Sequence, residues 1–150
     1  MFSQLNFPVV KLKLRKEKNQ TQVFDIVRKA YFLLTPEEWV RQHVIHFLID
    51  EKKYSAGLIE VEKQIKLFNT TKRVDILVRD KNLNPLLLIE CKAADVVLKQ
   101  AEINQLSRYQ ITLNAPYCML TNGLNHVVMK LQNETVVFLP ELPSFKDISG

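Results

Sequence analysis

Arg73-Val74-Asp75-Ile76-Leu77-Val78 and Leu86-Leu87-Leu88-Ile89-Glu90-Cys91-Lys92 are two apolar runs, each marked by charge at one end. Rich in β-branched and leucine side chains and bounded by turn residues, both read as short buried strands. Asp80-Lys81-Asn82-Leu83-Asn84-Pro85 between them is a turn signal, so a hairpin sets the two side by side. Side chains alternate along a strand: Glu90 and Lys92 share one face with Leu86 and Leu88, and Arg73, Asp75 and Leu77 share another. A carboxylate and an amine therefore end a row that begins as core. Removing an ionised group from water is costly unless something compensates it. The smallest solution is a divalent cation held by Asp75 and Glu90, with Lys92 aimed at phosphate or water.

Outward from this hairpin the chain alternates strands and helices. Upstream, Thr35 and Glu38 form a capping box with Pro36 at the first helical position, and that helix is expected to reach about Glu51. Leu58 to Phe68 and Thr71 to Arg79 read as paired strands around Asn69-Thr70. Val9 to Leu14 alternates as a strand with one basic face, and Gln22 to Leu34 is a less regular extended segment. Downstream, a second helix is expected from Asp95 or a neighbour to about Leu113, then strands at Pro116 to Leu120, His126 to Leu131 and Thr135 to Leu139. This order predicts an α/β fold in one domain over residues 1–150. A central mixed sheet flanked by helices forms the core at 35–139, with residues 1–34 as an N-terminal β extension.

On a helical wheel, Leu98, Ala101, Gln105, Tyr109 and Thr112 fall on one face, with Gln105 mid-stripe. A buried amide must find partners. Beside Asp75, Glu90 and Lys92, Gln105 would steady a water or a phosphate and Tyr109 would hydrogen-bond to substrate; the plainer account is an amide satisfied by nearby backbone. Glu38 has its capping role as one reading and a reach toward the metal as the other, and Arg41 and Gln42 follow it on the same helix. His43 and His46 lack the spacing of a zinc motif and read as surface residues, and His126 has no visible partner. Glu60 and Glu62 read as the charged outer face of an edge strand, with a third acidic ligand as the alternative. Lys11 and Lys13 lie on a solvated strand face or a phosphate-contacting rim.

Asp75 followed by Glu90-x-Lys92 resembles the nuclease motif PD-(D/E)xK, with Val74 where the motif has Pro. Gln105-Leu106-Ser107-Arg108-Tyr109 resembles the QxxxY motif of RecB-like nucleases. The pair, with Thr35 to Gln42 and Leu120 to Gly123, is similar to the N-terminal nuclease domain of type I restriction enzyme R subunits, from roughly Phe24 to Gly123. The resemblance implies a restriction-endonuclease-like core and a Mg²⁺-dependent phosphodiesterase acting on DNA, with Mn²⁺ able to substitute. Asp75, Glu90 and the Cys91 main-chain carbonyl would hold the ion, with Glu38 a further candidate. Lys92, Gln105 and Tyr109 would complete the catalytic set, and Arg73, Lys11 and Lys13 would contact nucleic acid. No GxxxxGK[ST] phosphate loop is present, so a nuclease module working alone or with separately encoded restriction or helicase subunits is expected. The rival reading is a nuclease-like domain that binds nucleic acid or a protein partner without cutting.

Composition is consistent with this and adds little. Hydrophobic content of 47% with 25% charged residues suits a soluble globular chain. The 21 basic and 16 acidic residues leave a net charge of +5, compatible with a polyanionic partner. No apolar run has the length of a membrane span and the N-terminus lacks signal-peptide character, so a cytoplasmic location is expected. Cys91 and Cys118 each sit in an apolar run and read as buried free thiols.

Overall fold

A computed structural model describes residues 2–149. Three short strands come first, β1 (Leu14–Glu17), β2 (Gln20–Asp25) and β3 (Ala30–Leu33), in an antiparallel sheet of that order. The strand expected at Val9 to Leu14 starts only at Leu14: Pro8 and Val9 are exposed, and the segment first meets the sheet where Lys13 O accepts from Phe24 N–H at 2.9 Å. Lys18 and Asn19, with φ of 52° and 63°, make the tight two-residue turn that pairs Glu17 with Gln20. The irregular stretch read at Gln22 to Leu34 is a hairpin, turned where Asp25 Oδ1 accepts from Val27 and Arg28 N–H.

Helix α1 (Pro36–His46) starts as its sequence dictates, Thr35 Oγ1 accepting from Glu38 N–H at 3.0 Å. It continues through one wider turn over Phe47–Glu51. Strands β4 (Ile59–Leu67), β5 (Thr70–Arg79) and β6 (Pro85–Cys91) then form an antiparallel meander. Asp80 shapes the β5–β6 turn by accepting from Asn82 and Asn84 N–H. Helix α2 (Gln100–Leu113) carries the chain to β7 (Tyr117–Thr121), which lies parallel to β6; β8 (His126–Gln132) and β9 (Thr135–Leu139) return antiparallel. A short helix α3 (Phe145–Ser149) follows. The result is the expected α/β architecture: a mixed sheet in the order β4-β5-β6-β7-β8-β9 with an N-terminal β extension. None of the described helices is long and apolar enough to cross a membrane.

The second helix begins at Gln100, five residues later than Asp95 suggested. Val96, Val97 and Leu98 precede it as irregular chain, and Asn122 Nδ2 holds that segment by donating to Val96 O. The sheet separates two cores. Val40, Val44, Ile45 and Leu48 of α1 pack with Ile59, Ile76, Val78, Leu87 and Ile89, whereas Leu106 of α2 packs with Val74, Leu77, Leu88, Cys118 and Met129.

Along β5 the alternation breaks once. Ile76 and Val78 face α1, but Val74, two residues earlier, packs on the α2 side. On β4 the same change separates Val61 from Ile65, and Glu62 between them has a left-handed φ of 54°. A non-glycine residue there marks local strain, of the kind concentrated at functional sites. Glu62 lies opposite Asp75, because Val61 pairs with Ile76 and Lys63 with Val74. The hairpin therefore twists at Asp75, and its far half swings toward α2.

Candidate active site

Past a register shift between Val78 and Arg79, strands β5 and β6 pair in step from Val78 and Leu87 to Ile76 and Ile89. One residue further, side chains replace the ladder. Cys91 N–H donates to Asp75 Oδ2 at 2.7 Å, and Asp75 N–H approaches Glu90 Oε1 at 3.4 Å. The two carboxylates thus meet where the strands part. Leu77 pairs with Leu88 and both pack on the α2 side, so the rows read as occupying separate faces share one there, while the break in alternation at Asp75 turns its carboxylate so that it also meets Arg41 of α1.

Burial, then the charge and hydrogen bonding of Asp75, push the Glu90 carboxyl up to about 8. Nearby cations only partly offset this: Lys92 lowers it, while Asp75 directs its own charge partly to Arg41. At neutral pH the pair holds a proton. Two half-buried carboxylates, with Glu90 holding a proton, are a donor set suited to a hard cation, which displaces that proton on binding. Among the described residues no three His, Cys, Asp or Glu side chains are placed to hold one metal ion. The protein thus offers two carboxylates, and main chain, water or phosphate would fill the other positions, as Mg²⁺ sites commonly require.

This pair has a consequence for stability. The folded-state pKa of Glu90 is raised, so its proton is bound more tightly when folded, and stability falls as pH rises from about 4.5 toward about 8. Glu90→Gln is expected to remove that slope and to raise the melting temperature of the metal-free protein at pH 8; thermal melts across this range check it. Asp75→Ala is not expected to stabilise, because Asp75 already accepts from Cys91 N–H and from Arg41 Nη2, the latter at 3.2 Å.

On the α2 side, Glu90 and Lys92 open into a cavity of about 220 Å³ that is also lined by Lys72, Arg73, Glu102, Gln105 and Tyr109. Lys92 Nζ lies 3.2 Å from Glu102 Oε2. Partial burial lowers the Lys92 pKa, but Glu102, then Glu90 and Asp75, more than reverse this and raise it. Lys92 is therefore a fixed cation rather than a proton acceptor. Glu102 was missed from sequence, although a carboxylate in the first turn of a helix is an ordinary feature.

Gln105 lines the same cavity as Glu90 and Lys92 but is not buried. It is exposed at the cavity mouth, and its Nε2 donates to Tyr109 Oη at 2.9 Å. The buried amide on α2 is Gln110, which donates to Pro116 O and Met129 O and accepts from Cys118 Sγ. Leu98 is not helical and Ala101 and Thr112 are exposed, so the inner stripe runs through Ile103, Leu106, Gln110 and Leu113. That spacing was present in the sequence one position round the wheel.

Behind the carboxylate pair stands Arg41, 6% exposed at its side chain. Its guanidinium meets Glu38 at 2.9 Å, Glu37 at 3.0 Å, Asp75 at 3.2 Å and Glu62 at 3.4 Å. Burial alone would lower its pKa, but Glu38 and Asp75 reverse this and raise it. Glu38 is fully engaged: Oε1 accepts from Arg28 and Arg41 and Oε2 from Gln42. It makes neither the return half of the capping box nor a free metal ligand. Asp25, which also accepts from Arg28 and Gln42, ties the N-terminal hairpin to this network. Glu62 is part of it rather than an outer-face charge, whereas Glu60 pairs with Arg79.

The remaining candidates separate clearly. Arg73 lines the cavity, while Lys11 and Lys13 do not; Lys13 Nζ lies 5.2 Å from the Phe24 ring centre in the N-terminal extension. His43, read as a surface residue, is buried against Trp39, its Nδ1 2.8 Å from Trp39 O. His126 has partners in Thr121 Oγ1 and Asn6 O. Gly123, at φ 87°, packs against Leu5 so closely that a Cβ would lie 2.7 Å from it, and its carbonyl accepts from Asn6 N–H. The segment Leu120 to Gly123 therefore anchors the N-terminus instead of lining the cavity, although Leu120 reaches it. Cys91 and Cys118 are buried free thiols; burial, then Asp75, holds Cys91 well above its usual range, and burial pushes Cys118 up to about 12.

Compared with known protein families, residues 36–143 match the one described as the type I restriction enzyme R protein N terminus. That span contains Arg41, Asp75, Glu90, Lys92, Gln105 and Tyr109. No curated protein matches the chain.

Proposed function

Because this chain belongs to the type I restriction enzyme R protein N-terminal family, we propose that it is a metal-dependent nuclease module that hydrolyses DNA phosphodiester bonds. The observation that carries this reading is the meeting of Asp75 and Glu90 where β5 and β6 part, with Lys92 beside them in a polar cavity. Asp75, Glu90 and the Cys91 main chain would hold Mg²⁺, or Mn²⁺ in its place. When bound, the cation polarises the scissile phosphate and makes a water more acidic.

The chain's own residues do the rest. Lys92, kept protonated by Glu102, donates to a phosphate oxygen as negative charge grows on it. Gln105 and Tyr109, joined by their hydrogen bond, present an amide and a hydroxyl at the cavity mouth to orient water or the neighbouring phosphate. Arg73 adds a cation on the incoming side. DNA is the proposed substrate, and separately encoded restriction or helicase subunits are the proposed partners.

Arg41 supports a second reading, binding without cutting. Its guanidinium lies 3.2 Å from Asp75, so one of the two carboxylates already has a cationic partner without a metal. Incubation of the purified protein with linear, circular and branched DNA separates the two. Cleavage with Mg²⁺ or Mn²⁺ that stops on adding EDTA is expected; DNA binding with no cleavage under any of these conditions would leave the second reading.

A further inference from the structure

Resting on the nuclease reading above, we propose that the groove between the β4–β5 hairpin tip and α2 is a stacking subsite for an unpaired base of the DNA strand that runs through the active site. The groove has a volume of about 310 Å³ and is lined by Leu67, Phe68, Arg108, Tyr109, Ile111 and Thr112. Phe68 is the striking-out residue of the hairpin: 85% exposed at the loop, with a left-handed φ of 55°. That conformation is unfavourable for a bulky aromatic side chain, and exposure of its ring gives the fold nothing in return.

Charge identifies the occupant as an anionic chain. From residue 63 to residue 73 the hairpin carries Lys63, Lys66, Lys72 and Arg73 and no acid, Lys63 and Arg73 standing 3.8 and 3.9 Å from Glu60 and Glu62, and Arg108 is the one charged residue of α2 between 103 and 113. Basic side chains interleaved with an aromatic ring and apolar walls suit a strand whose phosphates meet the cations and whose base stacks on the ring. A duplex keeps its base faces inside the helix, so the ring serves only an unpaired nucleotide. The groove is also continuous with the active site. Tyr109 lines both it and the cavity of Glu90 and Lys92, and the hairpin supplies Lys72 and Arg73 to one and Leu67 and Phe68 to the other. The twist at Glu62 and Asp75 brings that tip toward α2. A strand with a phosphate at Lys92 therefore reaches Phe68 by passing Arg73 and Tyr109.

Fluorescence anisotropy with a labelled single-stranded oligothymidylate and a labelled duplex, in EDTA, tests this without cleavage. Wild-type protein is expected to bind the single strand more tightly. Phe68→Ala should weaken single-strand binding roughly tenfold with duplex binding unchanged, and Phe68→Trp should retain it. Phe68 is exposed, so both variants should melt as wild type does. Unchanged single-strand affinity in Phe68→Ala, with DNA still bound and cut in Mg²⁺, would overturn the subsite alone. Failure of the wild-type protein to bind either DNA would overturn it together with the nuclease reading.

Discussion

Lys92→Ala is expected to reduce Mg²⁺-dependent DNA cleavage by roughly a thousandfold while the protein stays folded. Loss of a single preorganised donor to a developing oxyanion commonly costs about 10²–10³ in rate, and Lys92 is a full charge rather than a neutral donor. Its surroundings fix that charge: Glu102 lies 3.2 Å from the amine, with Glu90 and Asp75 behind. The fold should tolerate the change because Lys92 is only half-buried, and Glu102 retains its hydrogen bond from Lys99 N–H at the start of α2. Cleavage rate and melting temperature measured on one preparation check both halves of the expectation.

Arg41→Met is expected to act in the opposite way, through stability. The substitution leaves Glu37, Glu38, Glu62 and Asp75 around an uncharged side chain, and Glu38 retains only Arg28 and Gln42 as partners. Removing one member of a buried ionic cluster typically costs about 3–5 kcal/mol. Arg41→Lys should recover little, since one ammonium does not span carboxylates that a planar guanidinium bridges. Urea denaturation gives the loss directly. Mg²⁺ should raise the midpoint of Arg41→Met more than that of wild type, because the cation then compensates carboxylates that Arg41 otherwise serves.

These two residues differ in how well sequence exposed them. Lys92 was legible because its evidence is local: strand alternation from Leu86 to Cys91, a turn at Asp80, and a charged end to an apolar row. The start of α1 was legible for the same reason, Thr35 and Pro36 being adjacent to the turn they cap. Arg41 was visible only as a neighbour of Glu38, because Glu62 and Asp75, which make it the centre of an ionic cluster, arrive from strands far along the chain. Gln105 shows a different failure. It does line the cavity with Glu90 and Lys92, but it is exposed rather than buried, because the apolar stripe drawn through it starts at Leu98, which precedes the helix. The hydrophobic period of α2 was real, and Gln110 occupied the inner position instead. The N-terminal strand was displaced because alternation at Val9 to Leu14 says nothing of whether a partner strand is there to meet it.

The proposed divalent-cation site at Asp75 and Glu90 is open to calorimetric titration with Mn²⁺ in two buffers of different ionisation enthalpy. At pH 7 one ion is expected to bind per chain with release of about one proton, because Glu90 surrenders its proton. The proton release should vanish well above pH 8 and in Glu90→Gln, which should also bind far more weakly. No binding at millimolar Mn²⁺, or equal binding by wild type and Glu90→Gln, would overturn the cation site.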